Sequence, residues 1–471
     1  MIRNVRPLSL LNVNEVAKAA LVIKKILIAR RKHIKPKYLK KLLLSEIKAV
    51  AEKSDDFCID SSRNFSRKRK LSFETVVKTI IGMESKSLTN ELIDAFDSKP
   101  DFPSASAFVQ QRSKIKAEAF KAIFDGFTSS ISKDNDSEMR ILAVDGSDVQ
   151  IATNPYDLSS FHPGANGQKP YNLLHLNALF DLKQKIYTDA VIQGRMDYNE
   201  HSSLQEMVDR SNIRKALVIA DRGYESYNSM AHIQEKGWKF LIRIKDGRSG
   251  IKEGLVLPEL DEFDIKISLK LTRKLTKETK ELFKDKNHYR YLYRKATFDY
   301  LPQKIKRSDP AEFYTLDFRI VRFKVTDQLY ETVITNLDED AYPPNKLKEL
   351  YALRWGIETS FRDIKYTIGM LNFHSKKMMC IHQEIYAHLI MYNFAEMITS
   401  HVVIENKQRK YTYKANFSVA AHMCRLFYQG KTTSPNLETI ISRNIIPVRP
   451  DRHRKRKLTV KVFHGFLYRV A

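Results

Sequence analysis

The sequence predicts an α/β protein: a mixed sheet with helices packed on it, preceded by a helical region and followed by a helical, basic one. Three observations carry this. Ile141-Leu-Ala-Val144, Leu217-Val-Ile-Ala220 and Phe240-Leu-Ile-Arg-Ile244 are compact apolar runs of strand length, the last two flanking a helical stretch near Tyr227–Lys236. Before residue 130 the apolar residues instead recur at helical spacing, as in Leu39, Leu42, Leu43, Ile47 and in Phe73, Val76, Val77, Ile80, Ile81. From about Asp246 to Gln328 the alternation is short and strongly charged, as in Ile265, Ile267, Leu269, Leu271, which reads as a β-rich insertion.

In chain order, Met1 to Val50 holds 13 Lys/Arg against two acids, a basic helical arm. A helix around Phe73–Ile81, a second from Leu88 to Phe96 and a third capped by Ser104 and running through Phe124 suggest a helix-turn-helix-like module. Its third helix offers Gln110 and Arg112, side chains able to contact bases and phosphates; a small bundle with a solvated polar face fits as well. Leu173–Leu182 and Lys185–Gln193 read as strands joined by a tight connection, followed by a helix around Ser202–Ser211. Thr332-Val-Ile-Thr335 restores a strand, Pro343-Pro344 stops it, and a long helix is expected from about Lys346 to Tyr366, then another over Glu384–Ser400. Arg449 to Lys457 holds six basic residues and one acid and reads as a phosphate-binding tail.

The chain has 471 residues, two to four domains' worth at roughly 100–200 residues each. With 43% hydrophobic residues it can build real cores, and its formal charge of +26 favours a polyanionic partner, nucleic acid by default. Cys58, Cys380 and Cys424 are too far apart for a C-x-x-C zinc pair and too few for a disulfide framework, so a reducing, cytoplasmic setting is expected. No window reaches the ~18–20 uncharged apolar residues of a membrane span. His374, His382 and His388 lack the spacing of a zinc helix and read as surface or DNA-proximal groups, and Pro163–Lys169 lacks the P-loop spacing.

Asp145 and Asp221 each follow an apolar strand. Carboxylates past adjacent strand ends can converge on one hard divalent cation, although Asp there is also a common turn former or cap. Asp148 reads as a turn or supporting acid. On one continuous helix Tyr351, Arg354, Glu358 and Lys365 fall within about 60° of one another, over about 21 Å. An acid flanked by two cations and a phenol suits a metal ligand between phosphate clamps; a solvated face with Glu358 pairing Arg354 or Arg362 suits the same spacing.

Tyr351-x2-Arg354-x3-Glu358-x6-Lys365 matches, with every spacing intact, the Y-x2-R-x3-E-x6-K signature of the bacterial insertion-sequence-four transposases. Ala143-Val-Asp145-Gly-Ser147 resembles that family's first acidic motif and Ile219-Ala-Asp221-Arg-Gly-Tyr224 its second; the resemblance runs from about Asn64 to Phe394. It implies a ribonuclease H-like catalytic core interrupted by the β-rich insertion, dividing the chain into a basic arm (1–60), a helical DNA-binding domain (61–135), the core in two parts (136–245 and 330–400) around the insertion (246–329), and a basic C-terminal region suited to dimerisation (401–471). It also implies a DDE transposase that cuts and pastes DNA at terminal inverted repeats, with Asp145, Asp221 and Glu358 binding two Mg²⁺, replaceable by Mn²⁺. Tyr351, Arg354 and Lys365 would hold phosphates of the transposon end, Tyr330 is the aromatic nearest to a base-stacking role, and a homodimer in a synaptic complex is expected. An inactive DNA-binding derivative and a stand-alone nuclease on the same core share these features and stay open at this point.

Overall fold

The computed structural model describes residues 34–448 apart from 68, 133–137, 165–168, 246–249, 307, 327–328 and 405–410. Most of the basic arm and the tail from Arg449 to Lys457 therefore lie outside the described residues. The described residues divide into two compact units: those within 138–145 and 199–357 form the first, and those within 34–132, 146–198 and 358–448 the second.

The first unit is built on a sheet whose hydrogen-bonded order is β1-β5-β6-β10-β9-β7-β8. Its strands are β1 (Arg140–Ile151, of which the first half belongs here), β5 (Ala216–Ala220), β6 (Lys239–Arg243), β7 (Phe263–Thr272), β8 (Tyr289–Tyr291), β9 (Tyr314–Thr326) and β10 (Leu329–Thr335). β1, β5 and β6 are parallel, as expected of fully apolar runs joined through helices, while β10 returns antiparallel to β6 and β9 antiparallel to β10. Leu142, Leu217, Val218, Phe240, Leu241 and Val333 are wholly buried. The connecting helices are α6 (Glu200–Asp209), capped by the Asn199 side chain, and α7 (Tyr227–Glu235), capped by Ser226; the short α8 (Lys277–Leu282), capped by Thr276, follows β7. The β-rich insertion is present, and its strands β7, β8 and β9 prolong the core sheet rather than forming a sheet of their own.

In the second unit β3 (Tyr171–Asp181) and β4 (Ile186–Gln193) form an antiparallel hairpin, the two-residue β2 (Phe161–His162) pairs with the start of β3, and in the sheet order β3 lies between β2 and β1. Along the chain, strands β1, β3 and β4 come first, and β5 and β6 then add in parallel to β1. This is ribonuclease H-like connectivity, the expected mixed α/β core. The helices are α1 (Pro36–Glu52), α2 (Phe73–Gly82), α3 (Leu88–Ala95), α4 (Ala105–Arg112), α5 (Glu118–Ile131) and, late in the chain, α11 (Met378–His401) and α12 (Phe417–Tyr428). Ser72, Ser87 and Ser104 each accept a backbone N–H in the first turn of the helix they precede, the caps their positions call for. α11 is buried nearly all round, so it is the post of this unit rather than a surface helix. Its Asn393 satisfies the backbone N–H and C=O of Tyr187 on β4, both at 2.8 Å. No described helix is long and apolar enough to cross a membrane.

Two helical expectations are corrected. The helix capped by Ser104 ends at Arg112, and α5 is a separate helix. The long helix is two: α9 (Pro344–Ala352) and α10 (Trp355–Asp363), separated at Leu353–Arg354 and followed by a wider turn over Ile364–Ile368. Apolar periodicity continues through the break, but the backbone tightens there: Arg354, Gly356 and Ile357 donate to carbonyls three residues back.

Candidate active site

The ladder registers decide which charged residues meet in the first unit. Ala143 pairs with Ile219, the last pair of the parallel β1–β5 ladder; two residues further on come Asp145, which lies inside β1 rather than past its end as expected, and Asp221, which directly follows β5. Ala220 pairs with Ile242, so one residue on Asp221 stands beside Arg243. Val333 pairs with Arg243 across the antiparallel β6–β10 ladder, and Glu331, two residues away on the same face, lies diagonally next to Arg243. These three ladders thus bring two aspartates, an arginine and a glutamate to neighbouring positions. The side chains follow: Arg243 Nε is 3.8 Å from Asp221 Oδ1 and Arg243 Nη1 is 3.3 Å from Glu331 Oε1.

α9 and the turn after it supply the other wall. Arg354, almost fully buried, brings Nη1 to 3.6 Å from Asp145 Oδ2, and its guanidinium also lies against the Tyr351 ring, 5.9 Å from the centroid. Tyr351 is 3% exposed and its hydroxyl has no hydrogen-bond partner among the described residues. Burial holds that phenol well above its ordinary pKa; Arg354 and Arg243 pull it down while Asp221 and Glu331 push it up, so it stays protonated at neutral pH. Asp221 Oδ1 also accepts the backbone N–H of Arg222, so this carboxylate caps the short turn that follows β5.

Glu358 is half-buried on α10, one turn beyond Arg354, in the part of that helix that belongs to the second unit. Lys365, in the wider turn, donates from Nζ to Ser147 Oγ at 2.7 Å and to the Asp148 carbonyl at 2.6 Å, both on the second half of β1. Asp148 is held by His175, whose Nδ1 lies 2.8 Å from its Oδ1; that hydrogen bond keeps the carboxyl below its usual range. Among the described residues no three His, Cys, Asp or Glu side chains already form a cluster that could hold a metal ion. What does fit a hard divalent cation is the donor chemistry: two carboxylates with a buried, partnerless hydroxyl beside them.

Other expected residues lie elsewhere. Arg112 is corrected from a DNA contact to a core residue: it is 1% exposed, paired with Glu384 at 2.7 Å and donating to Gln383 and to the Cys380 carbonyl. Gln110, in the last turn of α4, is exposed. Tyr330 sits at the start of β10, half-buried, with the Arg322 guanidinium over its ring. The histidines expected at the surface are also corrected. His374 is wedged between Glu384 and Glu91, at 3.0 and 3.7 Å, and His388 is buried and held neutral, its pKa pushed down to about 3. Arg243 and Glu331 were missed; Arg243 is the only charge in the apolar run Phe240–Ile244, a signal that the sequence does carry.

The comparisons with known proteins say which class of protein carries this core. Residues 136–394 match the family described as "Transposase DDE domain", and the chain belongs to that family. It is therefore a DDE transposase, an enzyme that breaks and rejoins DNA phosphodiesters and works with divalent metal ions. A relative is the transposase InsG for insertion sequence element IS4 of Escherichia coli strain K12, 22% identical over 342 residues, covering 69% of this chain and 70% of that one. Among solved structures, a piggyBac transposase synaptic complex with hairpin DNA aligns over 88% of this chain and 86% of that one, at 12% identity and a TM-score of 0.44.

Proposed function

We propose that this transposase moves its own element by cutting and pasting: it cleaves double-stranded DNA at terminal inverted repeats and joins the freed 3′ ends to target DNA. It does so as a homodimer in a synaptic complex, in the bacterial cytoplasm at the nucleoid. The observation that supports the reading is the β1–β5 register, whose last pair, Ala143 with Ile219, lies two residues before each aspartate. With Glu358, these carboxylates would hold two Mg²⁺, or Mn²⁺ in their place. When bound, such ions supply an activated attacking oxygen and charge neutralisation at the departing one. In each step the oxygen of water or of a 3′-hydroxyl forms a new bond to phosphorus as the bond to the 3′-oxygen of the cut strand breaks. The attacking group's proton goes to solvent and the departing oxygen takes one up.

The chain's own side chains supply orientation. Arg354 is a planar, permanently charged donor beside Asp145, suited to grip a phosphate in two-pronged fashion. The protonated Tyr351 hydroxyl, without an acceptor of its own, suits a phosphate oxygen. Lys365 adds a compact cation, Gln110 an exposed amide for a base or phosphate, and Tyr330 an aromatic face for an unpaired base. The test is cleavage of a linear duplex bearing the repeat, and strand transfer from it, by Asp145→Asn, Asp221→Asn and Glu358→Gln. Each is expected to lose roughly 10³-fold or more in rate, about 4 kcal/mol of transition-state stabilisation, with repeat binding retained. Wild-type cleavage by any of the three removes that residue from the site.

A further inference from the structure

We infer that Glu331, on β10, is a positioning residue for the reaction, acting through Arg243 on Asp221. The inference rests on the reading of Asp221 as a metal-holding carboxylate and extends the site by two strands. Three observations support it. Asp221 directly follows β5, whose last residue Ala220 pairs with Ile242, while Arg243 and Glu331 stand on β6 and β10, so the adjacent ladders bring the three together. Glu331 is 4% exposed, and a carboxylate that deeply buried is costly unless it is paired; its partner at 3.3 Å is Arg243 Nη1. Arg243 then presents Nε toward Asp221 Oδ1 at 3.8 Å, so one guanidinium faces both acids.

The chemistry follows from what each end of this chain of charges can do. Asp221 must offer oxygen to a cation in a fixed direction, and its Oδ1 accepts the Arg222 backbone N–H. Arg243 Nε faces the same Oδ1 from the β6 side at 3.8 Å, so its charge biases which oxygen is left for a cation. Glu331 in turn prevents Arg243 from swinging over to cover Asp221 completely, because its planar fork is shared. The arrangement is the familiar one in which groups behind the ligands set their orientation and tune affinity by 10–100-fold. Glu331 itself touches neither DNA nor cation in this account; its effect is transmitted.

The experiment measures Mn²⁺ binding by electron paramagnetic resonance on the full chain, alongside repeat binding by gel shift and cleavage rate across a Mg²⁺ titration. The variants are Glu331→Gln, which keeps shape, and Arg243→Lys, which keeps charge but loses the fork; Asp221→Asn runs in parallel. Glu331→Gln is expected to weaken Mn²⁺ binding about 10-fold and to raise the half-saturating Mg²⁺ concentration for cleavage by a similar factor. Repeat binding should change less than 3-fold, roughly the scatter expected of a residue off the DNA path. The double variant Glu331→Gln/Arg243→Lys should be no worse than Arg243→Lys alone, since the two act in series. A general packing defect would instead lower repeat binding and thermal stability together without moving the Mg²⁺ midpoint, and that result overturns the inference. So does unchanged Mn²⁺ binding in Glu331→Gln while Asp221→Asn has lost it. If Asp221→Asn itself keeps wild-type Mn²⁺ binding, the reading of the site fails first, and the two failures are told apart.

Discussion

The molecule keeps two concentrations of charge, and they use the same residue types to opposite ends. In the first unit Arg354 stands 3.6 Å from Asp145, and Arg243 stands 3.8 Å from Asp221 and 3.3 Å from Glu331, with the two aspartates about a quarter exposed. In the helical second unit, Arg112, Glu384, His374 and Glu91 are almost wholly buried and closely paired: Glu384 takes Arg112 at 2.7 Å and His374 at 3.0 Å, and also accepts the His374 backbone N–H. Carboxylates that reach solvent beside cations are open to a ligand, while a buried, closely paired set holds the fold. Exposure and the length of the ion pairs together separate the two.

Two substitutions break this comparison most sharply. Asp221→Asn should abolish cleavage, by the roughly 10³-fold given above, yet leave thermal stability unchanged or slightly raised, because a carboxylate beside another carboxylate is relieved of its charge. Arg112→Ala should do the reverse. It strands Glu384 in the core, where removing one partner of a buried pair costs about 3–5 kcal/mol. A folded fraction that survives at low temperature should bind repeat DNA with undiminished affinity. Thermal melts and gel shifts on both variants decide it, and a stable Arg112→Ala protein with lost DNA binding would reinstate Arg112 as a DNA contact.

The second unit should also carry its own pH signature. Burial opposes charge on His374, but the hydrogen bonds to Glu384 and Glu91 outweigh it and raise its pKa to about 9. A folded-state pKa above the unfolded value of about 6.5 contributes stability that is whole below pH 6.5 and is lost as pH rises through about 9. Burial likewise opposes charge on Glu384, and Arg112 and His374 more than offset it, so its pKa falls; that contribution is present above about pH 4.5 and lost at lower pH. Melting temperature should therefore decline on the alkaline side with a midpoint near 9, and His374→Gln should flatten that decline. A decline of the same size and midpoint in the variant would assign it to other groups.

Much of this was legible before any coordinates. The strands β3, β4, β5 and β6, the helices between them and the serine caps follow from short-range chemistry, and the acids were visible as the residues that end two apolar runs. Three things were not. The break at Leu353–Arg354 leaves the apolar period undisturbed, so nothing local announces it, although it decides how Tyr351 and Arg354 are displayed. Arg112 carries the same letters whether it faces solvent or Glu384, and its partner is more than 250 residues away. Glu331 lies on β10, whose neighbours, β6 and β9, are fixed only by tertiary pairing, so its diagonal place beside Arg243 had no signal in the chain.

The smallest expected effect is the one that tests the contrast at a single oxygen atom. Tyr351→Phe removes a hydroxyl that is buried without a partner, and an unsatisfied buried donor costs rather than contributes, so the variant should be as stable as the parent or more stable by about 1 kcal/mol. The same atom lies near Asp221, Arg243, Glu331 and Arg354, the groups that shift its pKa, and it stays protonated because burial raises that pKa. If it waits for a phosphate oxygen, its loss should slow cleavage about 10-fold, the order of one neutral hydrogen bond to a charged acceptor. A gain in melting temperature together with slower cleavage marks a group kept for the reaction at the expense of the fold. Lower stability with unchanged cleavage would make Tyr351 a packing residue.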